Sequence, residues 1–329
     1  MAIKNLYIIG NGFDLHHQIN SSYSHFSSWL EENKKEVYDE IVKLYDNKVL
    51  DLEWWGDFEE NLGYFDMRGQ IEEYSYVNYP SEDDIEKCRS FDTMGAACDV
   101  REYVGGVINK IKACFAEWVN SFNSPNKQRK IVIEKENSYF INFNYSATLE
   151  NVYRVKYNEI CYIHMRNDDS GKEYIIGHGR DSADIKDDVE PSFPPFNPHK
   201  DDPSEYGIDT NDDEITNNAK DEMINQVMSI QKPVDDIIKN LESSLFNRFK
   251  EVQNVYIFGL SFSKVDLPYI EAILKIIPCN SIFYISYYSK RDEDNINDFM
   301  QKRNIANNRF KLVRLEDLQV IKQLKLSLN

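Results

Sequence analysis

The sequence predicts an α/β fold: a Rossmann-like, mainly parallel sheet with helices on both faces. Three observations support this prediction. Short apolar segments alternate with helical patterns through most of the 329 residues. The first apolar segment, residues 5–9, runs directly into the glycine-framed turn Gly10-Asn11-Gly12. Polar residues follow several of the later apolar segments. Open parallel sheets bind ligands beyond the carboxyl ends of their strands, so the third observation also predicts where a site lies.

The first half of the chain is predicted to be one strand followed mainly by helices. Apolar residues recur at helical spacing over residues 23–44, and residues 52–62 are also predicted to be helical. Residues 66–100 are polar and are predicted to be irregular. A helix with one apolar face is predicted over residues 101–122.

The second half alternates strands and helices. Strands are predicted at residues 138–143, 160–164, 173–177, 255–260, 281–287 and 310–315. Helices are predicted at residues 147–157, 223–249, 267–277 and 292–303. The whole chain, residues 1–329, is expected to form a single domain. It is expected to carry a helical insertion at about residues 20–122 and an acidic lid or insertion at about residues 181–222.

Composition narrows the classes of function. A net charge of −18 makes nucleic acid an unexpected partner, because binding to its phosphate backbone depends on Lys and Arg. No apolar segment is long enough to span a bilayer, so no membrane association is expected. The five cysteines are widely spaced and form no C-x-x-C, which is typical of reduced thiols in a cytoplasm. We therefore expect a cytoplasmic protein without a metal site.

Polar residues at the predicted strand ends form the candidate site. If the strands lie side by side, these residues line one cleft. The set comprises Gly10, Asn11, Gly12, Asp14, Asn142, Asn144, His164, His178, Gly259, Ser261 and Asp266. An imidazole is suited to proton transfer near neutral pH, and both His164 and His178 remain candidates for that role.

Each member of this set also has a structural interpretation. Asp14 is a good helix cap, and Asn144 with Ser146 is suited to starting a helix. The segment from Gly259 to Ser261 is consistent with a strand-to-helix turn that Asp266 caps. The pair His16-His17 is interpreted as packing in preference to metal binding, and Trp54-Trp55 is interpreted as core.

Three segments carry a resemblance to a known family. They are Ile8-Ile9-Gly10-Asn11-Gly12-Phe13-Asp14-Leu15, Phe140-Ile141-Asn142-Phe143-Asn144-Tyr145-Ser146-x-Thr148-Leu149-Glu150 and Gly259-Leu260-Ser261-Phe262-x-x-x-Asp266. Together with Trp55-x-Asp57-Phe58-Glu59, they resemble the phage abortive-infection proteins of the AbiH family. The resemblance implies a role in antiphage defence, with a phage-borne trigger and self-association as expected partners.

More distantly, the same order of motifs resembles the sirtuin-type NAD-binding fold of bacterial antiphage effectors. This resemblance implies that Gly10, Gly12 and Asp14 hold the dinucleotide, and that Gly259 and Ser261 bind its adenosine half. It also implies that Asn144 lies at the nicotinamide ribose and that His164 is the base. The paired cysteines of deacylase sirtuins are absent, which argues against protein deacylation.

The leading hypothesis is hydrolysis of NAD at its nicotinamide–ribose bond. A second hypothesis is a module that binds NAD or ADP-ribose without turnover, which is favoured by Met165 where sirtuin-like proteins have glycine after the histidine. A third hypothesis is a nuclease in which Asp14, Asp57, Glu59 and His178 hold a divalent metal. The strong negative charge disfavours the third.

Overall fold

The structure, a computed structural model, describes residues 2–46, 48–79, 92–165, 173–190 and 214–320. The chain folds as two compact units. The first comprises Met1–Trp29, Cys114–Ile175 and Pro233–Asn329, and the second comprises Leu30–Ala113 and Ile176–Lys232. The prediction of a single domain with two insertions stays a prediction.

A parallel sheet forms the centre of the first unit. In the described part of the chain it has six strands: β1 (Asn5–Ile9), β2 (Ser138–Asn142), β3 (Ile160–Tyr162), β4 (Asn254–Phe258), β5 (Ile282–Ser286) and β6 (Phe310–Val313). Their order is β3-β2-β1-β4-β5-β6, and every neighbouring pair is parallel. This is the strand order of the doubly wound nucleotide-binding fold, so the predicted fold class is confirmed.

The helices follow in chain order. They are α1 (Asn11–His16), α2 (Tyr23–Asn33), α3 (Lys35–Leu44), α4 (Leu52–Gly56), α5 (Phe58–Asn61), α6 (Met67–Asn78), α7 (Gly95–Val100), α8 (Gly106–Asn120), α9 (Thr148–Tyr153), α10 (Ser182–Val189), α11 (Glu214–Met228), α12 (Val234–Ser244), α13 (Leu267–Leu274) and α14 (Lys290–Lys302). A π-helical turn at Arg101–Gly105 joins α7 to α8.

Both faces of the sheet are covered, as the apolar character of its strands predicts. Every residue of β1 and β2 is buried, because these central strands contact helices on either side. One face packs against α12, α13 and α14 through residues such as Leu241, Ile270 and Phe299. The other face packs against α1 and α9 through Phe13 and Val152.

Aromatic rings are stacked across the strands on the α1 face. Tyr7 lies opposite Phe140 and Tyr256 in the strand register, and its ring centroid is 4.8 Å and 4.4 Å from theirs. Tyr284 extends the row, 4.9 Å from Tyr256. Cross-strand pairs of this kind stabilise the register, and a fixed register determines which residues leave the sheet at the same level.

The second unit has an aromatic core. Trp54 and Trp55 are buried, and the Trp55 ring stacks on Phe58 with centroids 5.0 Å apart. The Trp55 indole N–H donates to the Val49 carbonyl oxygen at 2.9 Å. The interpretation of the tryptophan pair as core is therefore confirmed.

Three local predictions were wrong. Residues 67–78 and 95–100 form α6 and α7, so the segment 66–100 is not irregular where the structure describes it; residues 80–91 lie outside the described residues. Residues 173–177 form no strand, and only an isolated bridge from His178 to Gln231 follows them. The helix predicted over 223–249 is interrupted, because α11 ends at Met228 and Pro233 precedes α12.

The predicted acidic insertion, residues 181–222, is helical wherever it is described. α10 lies within it and α11 begins within it, at Glu214. Residues 191–213 lie outside the described residues, so the lid stays a prediction. Among the described helices, none has the length and apolar character required to cross a membrane.

Candidate functional site

The carboxyl ends of β2, β1 and β4 lie side by side in the first unit. Ile9 pairs in register with both Asn142 and Phe258, so the segments that follow leave the sheet at one level. β1 lies between β2, which comes next along the chain, and β4, which comes much later, so the strand order changes direction here. In doubly wound sheets this switch point is where ligands bind.

Three glycines bring the turns after β1 and β4 into contact. The Gly12 N–H donates to the Gly259 carbonyl oxygen at 2.8 Å, and the Gly10 N–H donates to the Phe258 carbonyl oxygen at 2.9 Å. Gly259 has a φ of +72°, and a Cβ on it would lie 2.1 Å from the Phe13 nitrogen. These positions need glycine because two backbones pack closely there. Any role of these glycines in holding a dinucleotide stays a prediction.

Asn142 and Asn144 tie the loop after β2 to the first turn. The Asn144 side-chain amide donates to the Gly10 carbonyl oxygen at 3.0 Å, and the Asn144 backbone N–H donates to Asn142 Oδ1 at 3.1 Å. Both side chains are buried. Asn144 therefore does more than start α9, whose N-cap position is Ala147.

Asn11 lies in the first turn of α1, where its Oδ1 accepts a hydrogen bond from the Ser21 hydroxyl at 2.5 Å. This bond connects the start of α1 to the segment between α1 and α2 within the first unit. It gives Asn11 a local structural role, and its predicted contact with a nucleotide stays a prediction.

Asp14 lies in the first turn of α1 and is buried, although it is not the N-cap, a position that Gly10 occupies. Its Oδ1 accepts from the Thr148 hydroxyl at 2.7 Å, and among the described residues its Oδ2 has no hydrogen-bond partner. Burial raises the pKa of Asp14 to about 6, and the hydrogen bond from Thr148 opposes this rise. A carboxyl group with such a pKa changes its charge close to neutral pH.

His164 lies two residues beyond β3, at the level of Asn144, because Asn142 and Tyr162 pair in register. The ring is buried, and its Nδ1 is 3.2 Å from the Phe143 carbonyl oxygen. Since a carbonyl only accepts, Nδ1 carries the proton, and Nε2 is the nitrogen that can take up another. The peptide group between Phe143 and Asn144 thus connects His164 to Asn144, the two predicted catalytic residues.

Aromatic rings surround His164 and hold its orientation. Phe143 meets it edge-on with centroids 5.6 Å apart, Tyr145 lies at 5.8 Å and Tyr269 at 6.3 Å. Met165, which follows, has a φ of +67°. This is the left-handed conformation that favours glycine, so the backbone there has the shape for which glycine is the usual residue.

Ser261 and Asp266 lie in the segment between β4 and α13. Ser261 is exposed and Asp266 is half-buried. Asp266 occupies the N-cap position of α13, but its side chain makes no capping hydrogen bond. Asp266 therefore has the predicted position at the start of the helix without a capping bond from its side chain, and ligand binding by Ser261 and Asp266 stays a prediction.

His178 belongs to the second unit, where it is fully buried. Its Nε2 is 3.0 Å from the Val227 carbonyl oxygen, and its Nδ1 accepts from the Arg180 backbone N–H at 3.2 Å. Burial lowers the pKa of His178. These bonds indicate a neutral histidine that fixes the backbone of its own unit. Its place in the cleft stays a prediction.

The residues named for a metal-dependent nuclease have other contacts. Glu59 accepts from the Lys232 ammonium at 2.7 Å, and Asp57 is exposed. Over the ranges that the structure describes, no three His, Cys, Asp or Glu residues form a group that could hold a metal ion. The pair His16-His17 packs instead, with His17 bonded to the Phe13 carbonyl oxygen and the Tyr153 hydroxyl.

Sequence reasoning missed the role of two hydroxyls. Ser146 and Thr148 were assigned only to the start of a helix, yet Thr148 bonds the Asp14 carboxylate and Ser146 lies 2.8 Å from Thr148. It also missed Ser286 at the end of β5, whose Oγ accepts from the Gly259 N–H at 2.7 Å. For Ser146 and Thr148, the signal available in the sequence was a pair of hydroxyl residues two positions apart, just after a strand.

Comparison with known proteins gives one match. The family model described as Bacteriophage abortive infection AbiH matches residues 6–288, which contain every candidate residue discussed above. No curated protein matches the chain, and no solved structure does. The resemblance to the sirtuin-type fold therefore stays a prediction.

Proposed function

Since this chain belongs to the bacteriophage abortive infection AbiH family, we propose that it is a cytoplasmic antiphage effector that hydrolyses NAD at the nicotinamide–ribose bond. Membership of the family supports a role in phage abortive infection. The reaction, the substrate and the compartment are the proposed part. A phage-borne trigger and self-association belong to the same proposal.

The observation that supports this reaction best is the position of Asn144. Its amide is fixed to Gly10 at the switch point of a sheet with the strand order of nucleotide-binding folds. Its backbone adjoins the carbonyl group that orients His164. An amide side chain and an oriented imidazole at such an edge are suited to placing a sugar hydroxyl and a water molecule.

The proposed step transfers the ADP-ribosyl group of NAD to water. The bond from ribose C1′ to the nicotinamide nitrogen breaks, and its electron pair leaves with neutral nicotinamide. The water oxygen bonds to C1′, and His164 Nε2 accepts the proton that water loses. Asn144 orients the ribose hydroxyls and the water.

A binding module without turnover is the second candidate. Asn142, Asn144 and His164 are all nearly inaccessible to solvent, at 2%, 4% and 3% of their full exposure. Entry of a nucleotide to these side chains therefore requires a structural change, and a protein that changes shape when it binds NAD or ADP-ribose can act as a sensor.

The first test is incubation of the purified protein with NAD, with nicotinamide and ADP-ribose measured over time. The proposal expects both products in equal amounts, and loss of both with Asn144→Ala. The matched control is Asn307→Ala, since Asn307 is exposed and lies in a short 3-10 helix far from this loop in sequence. Thermal unfolding of both variants establishes that they are folded.

Other outcomes separate the alternatives. Saturable binding of NAD or ADP-ribose by the folded protein without product, in the presence of lysate from phage-infected cells as well, favours the binding module. Mg²⁺-dependent cleavage of DNA or RNA would indicate the nuclease. Unchanged turnover in folded Asn144→Ala contradicts the assignment of Asn144.

A further inference from the structure

A directed chain of hydroxyl groups ends on the Asp14 carboxylate. Thr148 Oγ1 donates its single proton to Asp14 Oδ1 at 2.7 Å. Thr148 Oγ1 is also 2.8 Å from Ser146 Oγ, so the Ser146 hydroxyl must be the donor of that second bond. The two hydrogen bonds therefore run in one direction, from Ser146 to Thr148 to Asp14, and the residue at the end of the chain must be an acceptor.

The loop that carries Ser146 and Thr148 is also bonded to the turn after β1. Asn144 donates its side-chain amide to the Gly10 carbonyl oxygen, four residues before Asp14. Residues 144–148 are thus held at Gly10 by one bond and at Asp14 by another. Two attachments fix the orientation of a short loop, whereas a single bond leaves it free to turn about that bond.

The Asp14 carboxyl is buried, and Oδ2 has no partner among the described residues. A buried carboxylate with one such oxygen is costly for the fold. Since an alanine or an apolar residue would avoid that cost, the acidic group needs a role that offsets it. Asp14 has such a role if it accepts the hydrogen bond from Thr148, because this bond fixes the loop that carries Asn144.

We propose that Asp14 is a positioning residue, which acts through Thr148 to fix the loop carrying Asn144 in the geometry that the reaction needs. The catalytic part of this inference rests on the proposed function. The attachment of the loop is a property of the folded chain and is tested separately from turnover.

The first experiment measures the loop directly, by hydrogen exchange of the Asn144 side-chain amide in NMR spectra. Its signal is identified by its loss in Asn144→Ala. We expect Asp14→Ala and Thr148→Val each to speed up this exchange by about tenfold or more, because local opening becomes easier. Thr148→Ser keeps the hydroxyl and retains slow exchange.

A carboxylate elsewhere in the first unit is the matched control. Asp292 accepts hydrogen bonds at the N-terminus of α14, so Asp292→Asn also removes a structural carboxylate. We expect the Asn144 amide to exchange at the wild-type rate in this variant. Wild-type exchange in folded Asp14→Ala overturns the proposed attachment.

The second experiment measures turnover of NAD in the same variants. We expect Asp14→Ala and Thr148→Val to lower kcat by about tenfold or more with KM within about threefold of wild type, as for an interaction expressed in the transition state. Thr148→Ser restores kcat. The double variant is no slower than either single variant, because both act through one bond.

The outcomes distinguish the two proposals. If the wild-type protein consumes no NAD while the exchange results are as expected, the proposed function fails and the attachment stands. If wild-type protein turns over NAD and folded Asp14→Ala keeps its kcat, the positioning role fails and the proposed function stands.

Discussion

The side-chain amide of Asn144 donates a hydrogen bond to the carbonyl oxygen of Gly10 at 3.0 Å, across 134 residues of sequence. This bond joins the loop after β2 to the turn after β1, at the level where the strand order changes direction. Both groups are buried, so the bond is shielded from water, and the Gly10 oxygen also accepts a hydrogen bond from the Phe13 N–H at 3.0 Å. The predictions below test this arrangement and its surroundings.

Asn144→Asp is expected to destabilise the protein more than Asn144→Ala does. An aspartate places an oxygen opposite the Gly10 carbonyl oxygen, where the wild-type protein has a donor. Alanine only removes this donor, and the Gly10 oxygen keeps its hydrogen bond from the Phe13 N–H, so the loss costs about 0.5–1.5 kcal/mol. Urea unfolding at pH 7 measures both values. Equal stability of the two variants contradicts the hydrogen bond, and Asn307→Ala again serves as the neutral control.

Gly259→Ala is expected to lower the free energy of unfolding by about 2 kcal/mol or more, since the added Cβ meets backbone and the φ is positive. Gly106→Ala is the control. Gly106 has helical dihedral angles at the start of α8, and a Cβ there meets nothing within 4 Å. The control is expected to be more stable than wild type by about 0.5–1 kcal/mol. A tolerated Gly259→Ala would show that the two turns are not in close contact.

The contribution of Asp14 to stability is expected to fall as pH rises from about 4 to about 6. Burial raises the pKa of Asp14 from 3.8 to about 6, so in this window the folded protein binds a proton that the unfolded chain has released. Relative to Asp14→Asn, wild-type protein should lose about 3 kcal/mol across the window. Denaturant unfolding of both proteins at several pH values measures the difference. A difference that does not change with pH contradicts the raised pKa.

His17 is expected to act in the opposite direction. Burial lowers its pKa from 6.5 to about 4, so between these values the unfolded chain binds a proton that the folded protein does not. Its contribution is therefore fully present above about pH 6.5 and is lost as pH falls towards 4. Relative to His17→Gln, wild-type protein should lose about 3 kcal/mol over this range. The same unfolding series measures the loss, and a constant difference would show that His17 titrates normally.

Glu59→Gln is expected to destabilise the second unit by about 1–3 kcal/mol, because it removes a carboxylate that accepts a hydrogen bond from a fully buried lysine. The Lys232 side chain is 0% exposed and that of Glu59 is 12% exposed. Asp236→Asn breaks the exposed pair with Lys239 and should cost less than about 1 kcal/mol. Thermal and urea unfolding compare the two. A small effect of Glu59→Gln would mean that Lys232 has a sufficient second partner.

Local patterns predicted most of the sheet because its strands are short apolar segments with turn residues after them. β1, β2, β4, β5 and β6 lie within about two residues of their predicted ends. The failures have local causes as well. Residues 173–177 are apolar enough for a strand, but Gly177 has a φ of +150° and no neighbouring strand pairs with this segment. α6 was missed because its residues are largely polar and only Met67, Ile71 and Ser75 are buried.

The candidate site was predictable as a set of strand ends, but its connections were not. Nothing in the spacing of Asp14 and Thr148 indicates that one accepts a hydrogen bond from the other, since they are 134 residues apart. His178 ends an apolar segment just as His164 does, yet its ring nitrogens bond Val227 and Arg180 in the second unit. A sequence pattern shows which residues follow strands, and only the pairing of those strands decides which of them meet.

By itself, the sequence determined the α/β class, the buried central strands and the family, because apolar periodicity and short glycine-containing motifs are local properties of the chain. The tertiary structure alone decided that β1 lies between β2 and β4, that Asn144 bonds Gly10, and that Asp14 is buried beside Thr148. These relationships depend on the order and register of the strands. Hydrogen bonds and burial then follow from distances between residues that the chain keeps far apart, and such distances exist only once the sheet has formed.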